Sequence, residues 1–483
     1  MTNPPSASPV MIVAASCALG LRVQHVSFTV ECLVTNKCPC GAYRGFGNPV
    51  RVLAVERCLD MLAERVGIDP AEVRRRNLVR KEDMPQQSAT GARIYSGTFI
   101  ESMERALKLA DYDKVRRQQQ ELRAQGRYLG IGIASFAEGA GPSWEGHTGM
   151  LGAYDACTVR IEPDGQVTVQ VGVCDQGQGT ATAVAQVVAD ALSTSPENIT
   201  VTFGDTGTGP FGLGNWGSRG ATVAAGSSSS AALELRTKLI QLASHLHECS
   251  PDDVRLEKGR ALIVGSDRSL SFRDLATAAY GGRGRRPVNM SPGLEVTNYF
   301  EPDAIERQPD DKGRIMRYAT ISNAAHIAVV EVIAESGEVR ILDYVVVHDC
   351  GTVINPAIVD GQIRGGVTQG IAGALHESIA YDDSGQLLTG TLMDYHVPRA
   401  IEVPNFKIDH LESPDPTVPL GVKGVGESGT IGAPAAIANA VADALAPLGV
   451  RIVRTGLTPP VVLGLIEQAT RRADVRTEPR STQ

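Results

Sequence analysis

The 483-residue sequence has few aromatic side chains, an excess of negative charge and no long uninterrupted apolar run. Aromatic residues make up 5% of the chain, and the formal net charge at pH 7 is -8. Proteins that bind nucleic acid carry basic patches, so this charge argues against a nucleic-acid partner. A helix that crosses a bilayer needs about 18 or more consecutive apolar residues. We therefore expect neither nucleic-acid binding nor a membrane span.

Cysteine is present but dispersed, with nine residues in the whole chain. Cys38 and Cys40 form the one close pair, and no second pair or histidine lies at ligand spacing from it. This pattern argues against a zinc site or an iron–sulfur cluster bound by this chain. An odd, scattered set of cysteines suits reduced thiols, so we predict a cytoplasmic protein. The apolar run at 10–21 lacks a preceding basic residue, which favours a buried strand or turn over a signal peptide.

Glycine, in contrast, is abundant, with 51 residues, and 42% of the chain is hydrophobic. Residues 24–35 alternate in the manner of a strand. Helices follow at 49–66 and from Pro70, with Asp69 as its N-cap, and 113–127 forms a polar surface connection. After Arg127 short strands alternate with helices, with a hairpin turn at Asp164-Gly165. His326 and His348 stand alone on later strands, so we expect hydrogen-bonded core groups rather than ligands. A chain of this length and apolar content supports two or three domains with large cores. We predict an α+β fold with mixed sheets and packed helices, divided into domains over 1–126 and 127–470 and a polar tail over 471–483.

The most informative stretch, 418–441, holds a single carboxylate, Glu427, among glycines. The glycines are Gly421, Gly424, Gly426, Gly429 and Gly432. Without side chains they let the backbone approach a bulky ligand. An apolar helix is predicted from about Ile431, with Thr430 as its cap and Pro434 in its first turn. A lone acid at a helix N-terminus suits proton transfer beside an anionic cofactor.

Two other interpretations of this stretch remain open on the residues alone. The segment from Gly424 to Gly429 matches the G-x-G-x-x-G pattern of nicotinamide-dependent dehydrogenases, but its preceding segment is broken by proline rather than being a core strand. An ordinary structural turn is the other interpretation.

Further glycine-flanked polar side chains stand at predicted helix starts. Arg44 lies in a Tyr-Arg-Gly-Phe-Gly sequence, Gln178 in Gly-Gln-Gly, and a hydroxyl-rich loop covers 214–222. Gln362 and Gln369 are seven residues apart on one predicted helix. The glycines of this helix would let a cofactor lie close, and they are Gly361, Gly365, Gly366 and Gly370. Loops that enter helices present free N–H groups, so several of them can converge on one phosphate-bearing ligand.

These motifs, in this order, resemble those of the molybdenum hydroxylases, the family of xanthine dehydrogenase, aldehyde oxidase and aerobic carbon monoxide dehydrogenase. The sequence GVKGVGESGTIGAP, from Gly421 to Pro434, is similar to the active-site loop of the carbon monoxide dehydrogenase-like branch. The resemblance implies molybdenum cofactor-binding domains. It places the general base on Glu427 and a substrate-orienting or charge-stabilising role on Arg44. The cofactor-binding residues that it implies are Gln178, Gly179, Ser218, Arg219, Gly220, Thr222, Gln369 and Gly426.

The resemblance also implies cofactors and partners. The cofactor would be molybdenum bound to a molybdopterin, in the cytosine dinucleotide form, with no metal ligand from the chain itself. A [2Fe-2S] cluster and FAD would lie on separate iron–sulfur and flavin subunits. The resemblance covers about 24–465 and only the C-terminal portion of the family's molybdenum subunit, so we expect a naturally split subunit or a truncated product that is inactive alone.

Two functional hypotheses follow from the resemblance. The first is part of a hydroxylase that oxidises an aldehyde or an N-heterocyclic small molecule with oxygen from water, using the N-terminal half of the subunit as a partner. The second is a non-catalytic cofactor-binding or truncated homologue.

Overall fold

The computed structural model describes residues 12–29, 31, 33, 35–38, 41–142, 154–306 and 308–477. Its longer helices are α1 (Asn48–Val66), α2 (Pro70–Asn77), α3 (Phe99–Leu109), α4 (Tyr112–Arg123), α5 (Thr180–Leu192), α6 (Gly220–His247), α7 (Phe272–Tyr280), α8 (Pro356–Ile371), α9 (Ser428–Leu445) and α10 (Pro459–Thr477). Its strands are β1 (Gln86–Gln87), β2 (Arg93–Ile94), β3 (Tyr128–Pro142), β4 (Asp155–Ile161), β5 (Val167–Val171), β6 (Ile199–Thr202), β7 (Val254–Glu257), β8 (Arg260–Ile263), β9 (Ser269–Ser271), β10 (Glu295–Phe300), β11 (Tyr318–Ile333), β12 (Glu338–Asp349) and β13 (Phe406–Leu411).

The central sheet has the strand order β13-β12-β11-β3 and is covered on both faces. Alternate side chains of β11 point to opposite faces, as a strand requires. Ala324 and Ala328 belong to one apolar cluster, which contains residues of α8 and α9. Ala325 and Ile327 belong to the other, which contains residues of α2 and α3. A strand buried on both faces explains why β11 reads as a continuous apolar run.

The second four-stranded sheet has the order β10-β4-β5-β6 and packs against α5 and α6. Its β4–β5 hairpin confirms the turn predicted at the Asp164-Gly165 pair, and Gly165 has the positive φ of +92° that such a turn needs. A three-stranded sheet, β7-β8-β9, extends this core together with α7. The mixture of packed helices and mostly antiparallel sheets confirms the α+β class.

Several element boundaries differ from the prediction. Residues 22–29 contain no strand, although the alternation of residues there was strand-like. The polar stretch at 113–127 is largely helix α4, because Tyr112 and Gln119 supply a buried face. Helix α9 begins at Ser428, so Thr430 is not its cap and Pro434 lies beyond its first turn. These differences arise from tertiary packing, which overrides local pattern.

The segment Ser428–Leu448, which is helix α9 and the short turn after it, is long and apolar enough to cross a membrane, with a mean hydropathy of 1.4. We had expected no such segment from the sequence. However, 72% of its apolar stretch is buried inside the protein. The helix packs against β3, β11, α8 and α1, so its apolar surface is that of a core helix.

Glycines let α8 and α9 approach each other closely. A Cβ on Gly370 of α8 would lie 2.5 Å from the Cβ of Ala433, and one on Gly366 would lie 2.9 Å from the Cα of Gly429. The hydroxyl of Thr430 donates to the carbonyl of Gly366 at 3.0 Å. The prediction that Gly366 and Gly370 make room for a cofactor is therefore wrong. They make room for helix α9.

Substitution of Gly370 by alanine should destabilise the fold by about 1–3 kcal/mol, because the added methyl group overpacks the helix contact. Gly361→Ala is the matched control on the same helix, since its Cβ would meet no atom within 4 Å. Alanine is the better helix former, so this control should gain up to about 1 kcal/mol. Urea unfolding of both variants is the measurement. Equal stabilities would contradict the packing assignment.

Two histidines lie buried in the central sheet. His326 and His348 are both 0% exposed. Nδ1 of His326 is 2.9 Å from the Tyr344 hydroxyl, whereas neither ring nitrogen of His348 has a hydrogen-bond partner in the described part of the chain. Burial lowers the pKa of each to about 3. Both are neutral core groups, as the sequence predicted for isolated histidines on strands. The hydrogen bond expected for each is present at His326 and absent at His348 among the described residues.

Acid should therefore destabilise the protein. The unfolded chain binds a proton at each histidine below about pH 6.5, whereas the folded chain resists protonation until about pH 3. Unfolding free energy should fall as the pH drops through this window, by about 2 kcal/mol per histidine between about pH 6 and pH 4. His348→Leu should flatten the dependence in urea titrations, whereas exposed His245→Gln should not. An unchanged slope in His348→Leu would contradict this account.

Candidate active site

Four helices begin around one open cavity, whose empty space is about 780 Å³ with open solvent included. Thr180 and Gly220, the first residues of α5 and α6, line it directly. Asn355, the N-cap of α8, lines it as well. Gly426 lies on its wall two residues before α9. The N-terminus of a helix carries free N–H groups and a partial positive charge, so the cavity favours an anionic ligand.

The residues that line the cavity are also compatible with an anionic ligand. None of the described residues that line the cavity carries a carboxylate. Polar contacts are offered by the amides of Gln178, Asn215, Asn355 and Gln362, and the remaining wall is formed largely by small or aliphatic side chains. Lys423 also borders the cavity, but its ammonium donates to the Ser413 hydroxyl at 2.9 Å. The cavity suits a large ligand with both anionic and hydrogen-bonding parts.

Gln178 and Gly179 lie where the sequence placed them, at the entry to α5. The Gln178 side chain donates to the carbonyl of Cys174 at 3.2 Å and accepts from the N–H of Gln176 at 2.6 Å. Gly179 has a φ of +74°, and a Cβ there would lie 2.7 Å from Ile358. Glycine is therefore needed for both conformation and space.

In the loop before α6, some residues line the cavity and others have side chains that are bonded within the protein. Ser218 and Gly220 line the cavity. Arg219 is 2% exposed and forms an ion pair with buried Asp155, while the hydroxyl of Thr222 lies 3.5 Å from that of Thr320. The side chains of Arg219 and Thr222 are thus committed to the protein. The Ser218 hydroxyl is also bonded within the protein, to Glu138 and to the N–H of Glu427. Contact between this loop and a ligand therefore falls mainly to its backbone.

Arg44 joins three segments of the site. Its Nε donates to the carbonyl of Gly426 at 2.5 Å, and Nη1 donates to Oε1 of Gln369 at 3.0 Å. Its Nη2 donates to both the side-chain and backbone oxygens of Gln362, at 2.8 and 3.1 Å. The structure therefore brings Arg44, Gln369 and Gly426 together. It gives the guanidinium a scaffolding role in addition to the predicted role toward substrate.

Glu427 occupies the N-cap position of α9, next to this cluster. Its backbone N–H donates to the Ser218 hydroxyl at 3.1 Å. Burial, and then the neighbouring carboxylate of Glu138, raise the pKa of the Glu427 carboxyl to about 8, against the opposing charge of Arg44. A carboxyl group with a raised pKa is a stronger base once ionised, which suits proton abstraction near neutral pH.

The glycines around Glu427 do not form a dinucleotide-binding fingerprint. A Cβ on Gly424 would lie 2.5 Å from Ala140, and one on Gly432 would lie 2.4 Å from the Phe136 ring. Gly429 packs on α8, whereas a Cβ on Gly426 would meet only Ser218, at 3.8 Å. Of these glycines Gly426 alone faces the cavity. The glycines of the G-x-G-x-x-G match therefore serve mainly protein packing, which argues against the nicotinamide interpretation.

Sequence reasoning missed Glu138, Lys423 and Asp349. Glu138 is 0% exposed on β3, and Lys423 and Asp349 form a buried ion pair that ties the Glu427 loop to the end of β12. The signal was available for Glu138, because an acid in the midst of a run of small and apolar strand residues has to be buried. Within the described ranges, no group of three or more histidine, cysteine or acidic side chains could hold a metal ion.

Comparison with known proteins places these features in a family. A profile of the molybdopterin cofactor-binding domain matches residues 105–404, and a second profile of the same description matches 3–78. The large subunit of nicotine 6-hydroxylase from Paenarthrobacter nicotinovorans is 40% identical over 449 residues, which are 91% of this chain and 53% of that relative. The large chain of carbon monoxide dehydrogenase from Hydrogenophaga pseudoflava is 35% identical, over 90% of this chain and 53% of that relative.

Solved structures agree with the sequence relatives. Quinoline 2-oxidoreductase from Pseudomonas putida 86 aligns with a TM-score of 0.81 at 38% identity, over 89% of this chain and 54% of that chain. Carbon monoxide dehydrogenase from Oligotropha carboxidovorans aligns with a TM-score of 0.82 at 31% identity, over 91% and 54%. The chain thus spans about half the length of the relatives it matches.

Replacement of Arg44 by lysine should destabilise the site although the charge is kept. One ammonium cannot reach Gly426, Gln369 and Gln362 together, so buried acceptors lose their donors at a cost of about 1–3 kcal/mol. Arg105→Lys, at an exposed ion pair with Asp409, is the control and should change stability by less than about 0.5 kcal/mol. Thermal unfolding compares the two. Equal effects would refute the scaffolding role of Arg44.

Proposed function

The chain belongs to the molybdopterin-binding large subunits of the molybdenum hydroxylases, and on that basis we propose that it is part of an oxidoreductase. The reaction we propose is oxidation of a C–H bond in an aldehyde or N-heterocyclic compound, with water as the source of oxygen. The observation that carries the proposal is one carboxyl group of raised pKa, Glu427, which directly follows Gly426 on the cavity wall and lies near Arg44. Because the chain spans about half of its relatives, the activity, substrate and partners of the whole protein belong to this proposal.

The chemistry of the cavity suits a molybdopterin dinucleotide. Its empty space of about 780 Å³, with open solvent included, and the lack of carboxylates among its described lining residues suit a large anion. The N–H groups at the starts of α5, α6 and α8 would hold phosphate oxygens. The amides of Gln178 and Gln362 each keep hydrogen-bonding capacity beyond their bonds within the protein. With it they would meet the donors and acceptors of a pterin ring. We propose the cytosine dinucleotide form, on the similarity to the carbon monoxide dehydrogenase branch.

When bound, the cofactor supplies the molybdenum centre that accepts two electrons from the substrate. Glu427 would take up the proton released in the reaction at a carboxylate oxygen. Arg44 would hold Gly426 in place and thereby fix the start of the Glu427 loop. The raised pKa lets Glu427 take up and release a proton near neutral pH, as a general base requires.

Further protein is proposed to cover the open side of this site. Tyr43, next to Arg44, is 52% exposed. Leu392, Met393 and Ile401 are between 84% and 93% exposed, in a segment that follows α8. Apolar surface left open in this way commonly marks an interface. We propose that the remaining half of the molybdenum subunit covers this surface. Iron–sulfur and flavin subunits would belong to the same cytoplasmic complex. Electrons would leave through their [2Fe-2S] cluster and FAD.

Glu427→Gln provides the test. It should lower turnover by about 10²-fold or more, since the neutral amide cannot accept the proton, and molybdenum content should stay unchanged. Glu234→Gln, an exposed substitution on α6, is the control and should leave both unchanged. Dye reduction with a panel of aldehydes and N-heterocycles measures turnover, and elemental analysis measures molybdenum. Full turnover in Glu427→Gln would remove Glu427 as the base, and wild-type protein that binds molybdenum without turnover would favour the non-catalytic alternative.

A further inference from the structure

A second buried carboxylate, Glu138, lies against the Glu427 loop and takes no part in the function proposed so far. Its side chain is 0% exposed in the middle of β3. One oxygen accepts a hydrogen bond from the Ser218 hydroxyl at 2.5 Å, and the other accepts from the Ser428 hydroxyl. A buried carboxylate costs free energy unless donors surround it. Here both oxygens have one.

The two serines belong to the starts of two different helices. Ser428 is the first residue of α9, and Ser218 lies two residues before α6. A negative charge at a helix N-terminus is favourable, and Glu138 serves two such ends at once. Ser218 has a φ of +54°, which is unusual for a residue with a side chain. The loop is thus held in a strained conformation that presents its hydroxyl to Glu138.

The same hydroxyl also holds the candidate base. Ser218 donates its proton to Glu138 and accepts the backbone N–H of Glu427 at 3.1 Å. Ser428, bound to the other oxygen of Glu138, is the residue directly after Glu427. The backbone of Glu427 is therefore tied to Glu138 from both sides.

We propose that Glu138 is a positioning residue for Glu427, which fixes the Glu427 backbone through Ser218 and Ser428 and keeps a negative charge beside the Glu427 carboxyl. This inference rests on the proposed function, since it concerns the base of that reaction. Two neighbouring carboxyl groups resist being ionised together. Burial raises the pKa of both carboxyl groups, and at Glu138 the Ser218 and Ser428 hydroxyls oppose this effect. In this proposal Glu138 therefore ionises first, and the proton stays on Glu427 until the pH is higher.

Other charged and titratable groups surround the pair. Arg44 favours the ionised form of both carboxyls, and Arg51 favours that of Glu138. Tyr318 packs on Gly139, next to Glu138. Arg219, adjacent to Ser218, is paired with Asp155, and Lys423, in the Glu427 loop, is paired with Asp349. Arg44 and Arg51 are present in every variant below, so their effect cancels in the comparison.

Glu138→Gln removes the charge while keeping the shape of the side chain. Its effect is read in the purified protein, together with the subunits that accompany it, by an infrared pH titration of the carboxyl C=O band with labelled glutamate. In the wild type, a protonated band absent from Glu427→Gln should persist near neutral pH. In Glu138→Gln this band should disappear at lower pH, and turnover at pH 6 relative to pH 8 should rise several-fold. The control Glu331→Gln, at an ion pair with Arg127 near the other end of β3, should titrate as the wild type.

A Glu427 band that titrates at the wild-type pH in Glu138→Gln would overturn the inference. Should that variant not fold, Ser428→Ala removes one donor and no formal charge. It weakens the ionised form of Glu138 and should move the Glu427 band in the same direction, by less. An unmoved band in Ser428→Ala would likewise overturn it.

The infrared readout needs neither molybdenum nor turnover, so it separates the two proposals. A shifted band in a protein without hydroxylase activity would support the role of Glu138 and count against the proposed function. Normal hydroxylase activity of the wild type with an unshifted band in Glu138→Gln would support the proposed function and count against the role of Glu138.

Discussion

The convergence of four helix N-termini on one cavity is the constraint on which the rest of the structure depends. Each end carries a partial positive charge of about half a unit, and like charges repel. The protein itself offsets part of this positive potential, because the buried carboxylate of Glu138 accepts hydrogen bonds from the serines at the starts of α6 and α9. The cavity itself retains the remaining field and has no carboxylate wall. An anionic cofactor is the ligand that such an arrangement stabilises.

Close helix packing makes this convergence possible. Gly366 and Gly370 on α8 leave room for Gly429 and Ala433 on α9, so both helices can start beside the cavity. Arg44 then ties the two together from a third segment, through Gln369 on α8 and the carbonyl of Gly426 before α9. Glycine in this region thus serves mainly the scaffold. The chemistry falls to a few polar side chains that the scaffold brings together.

Much of this could be read from the sequence, because the motifs are local. The β4–β5 hairpin, the start of α2 at Pro70 with Asp69 as its cap, and the helix entries at Gln178 and Gly220 depend on neighbouring residues and were predicted. Glu138, the packing role of Gly370 and the buried pairing of Arg219 depend on residues far away in the chain. No periodicity encodes such contacts. The strand predicted at 24–35 was wrong in its described residues, 24–29, 31, 33 and 35, where alternation occurs without a paired neighbour.

An experimental structure of the assembled, molybdenum-loaded protein tests the central claim most directly. The account predicts cofactor density in the cavity between α5, α6, α8 and α9, with phosphate oxygens within hydrogen-bond distance of the N–H groups at the helix starts. It also predicts the molybdenum end near Glu427 and Arg44. Cofactor bound elsewhere on the chain, or a loaded protein whose cavity contains only water, would contradict it.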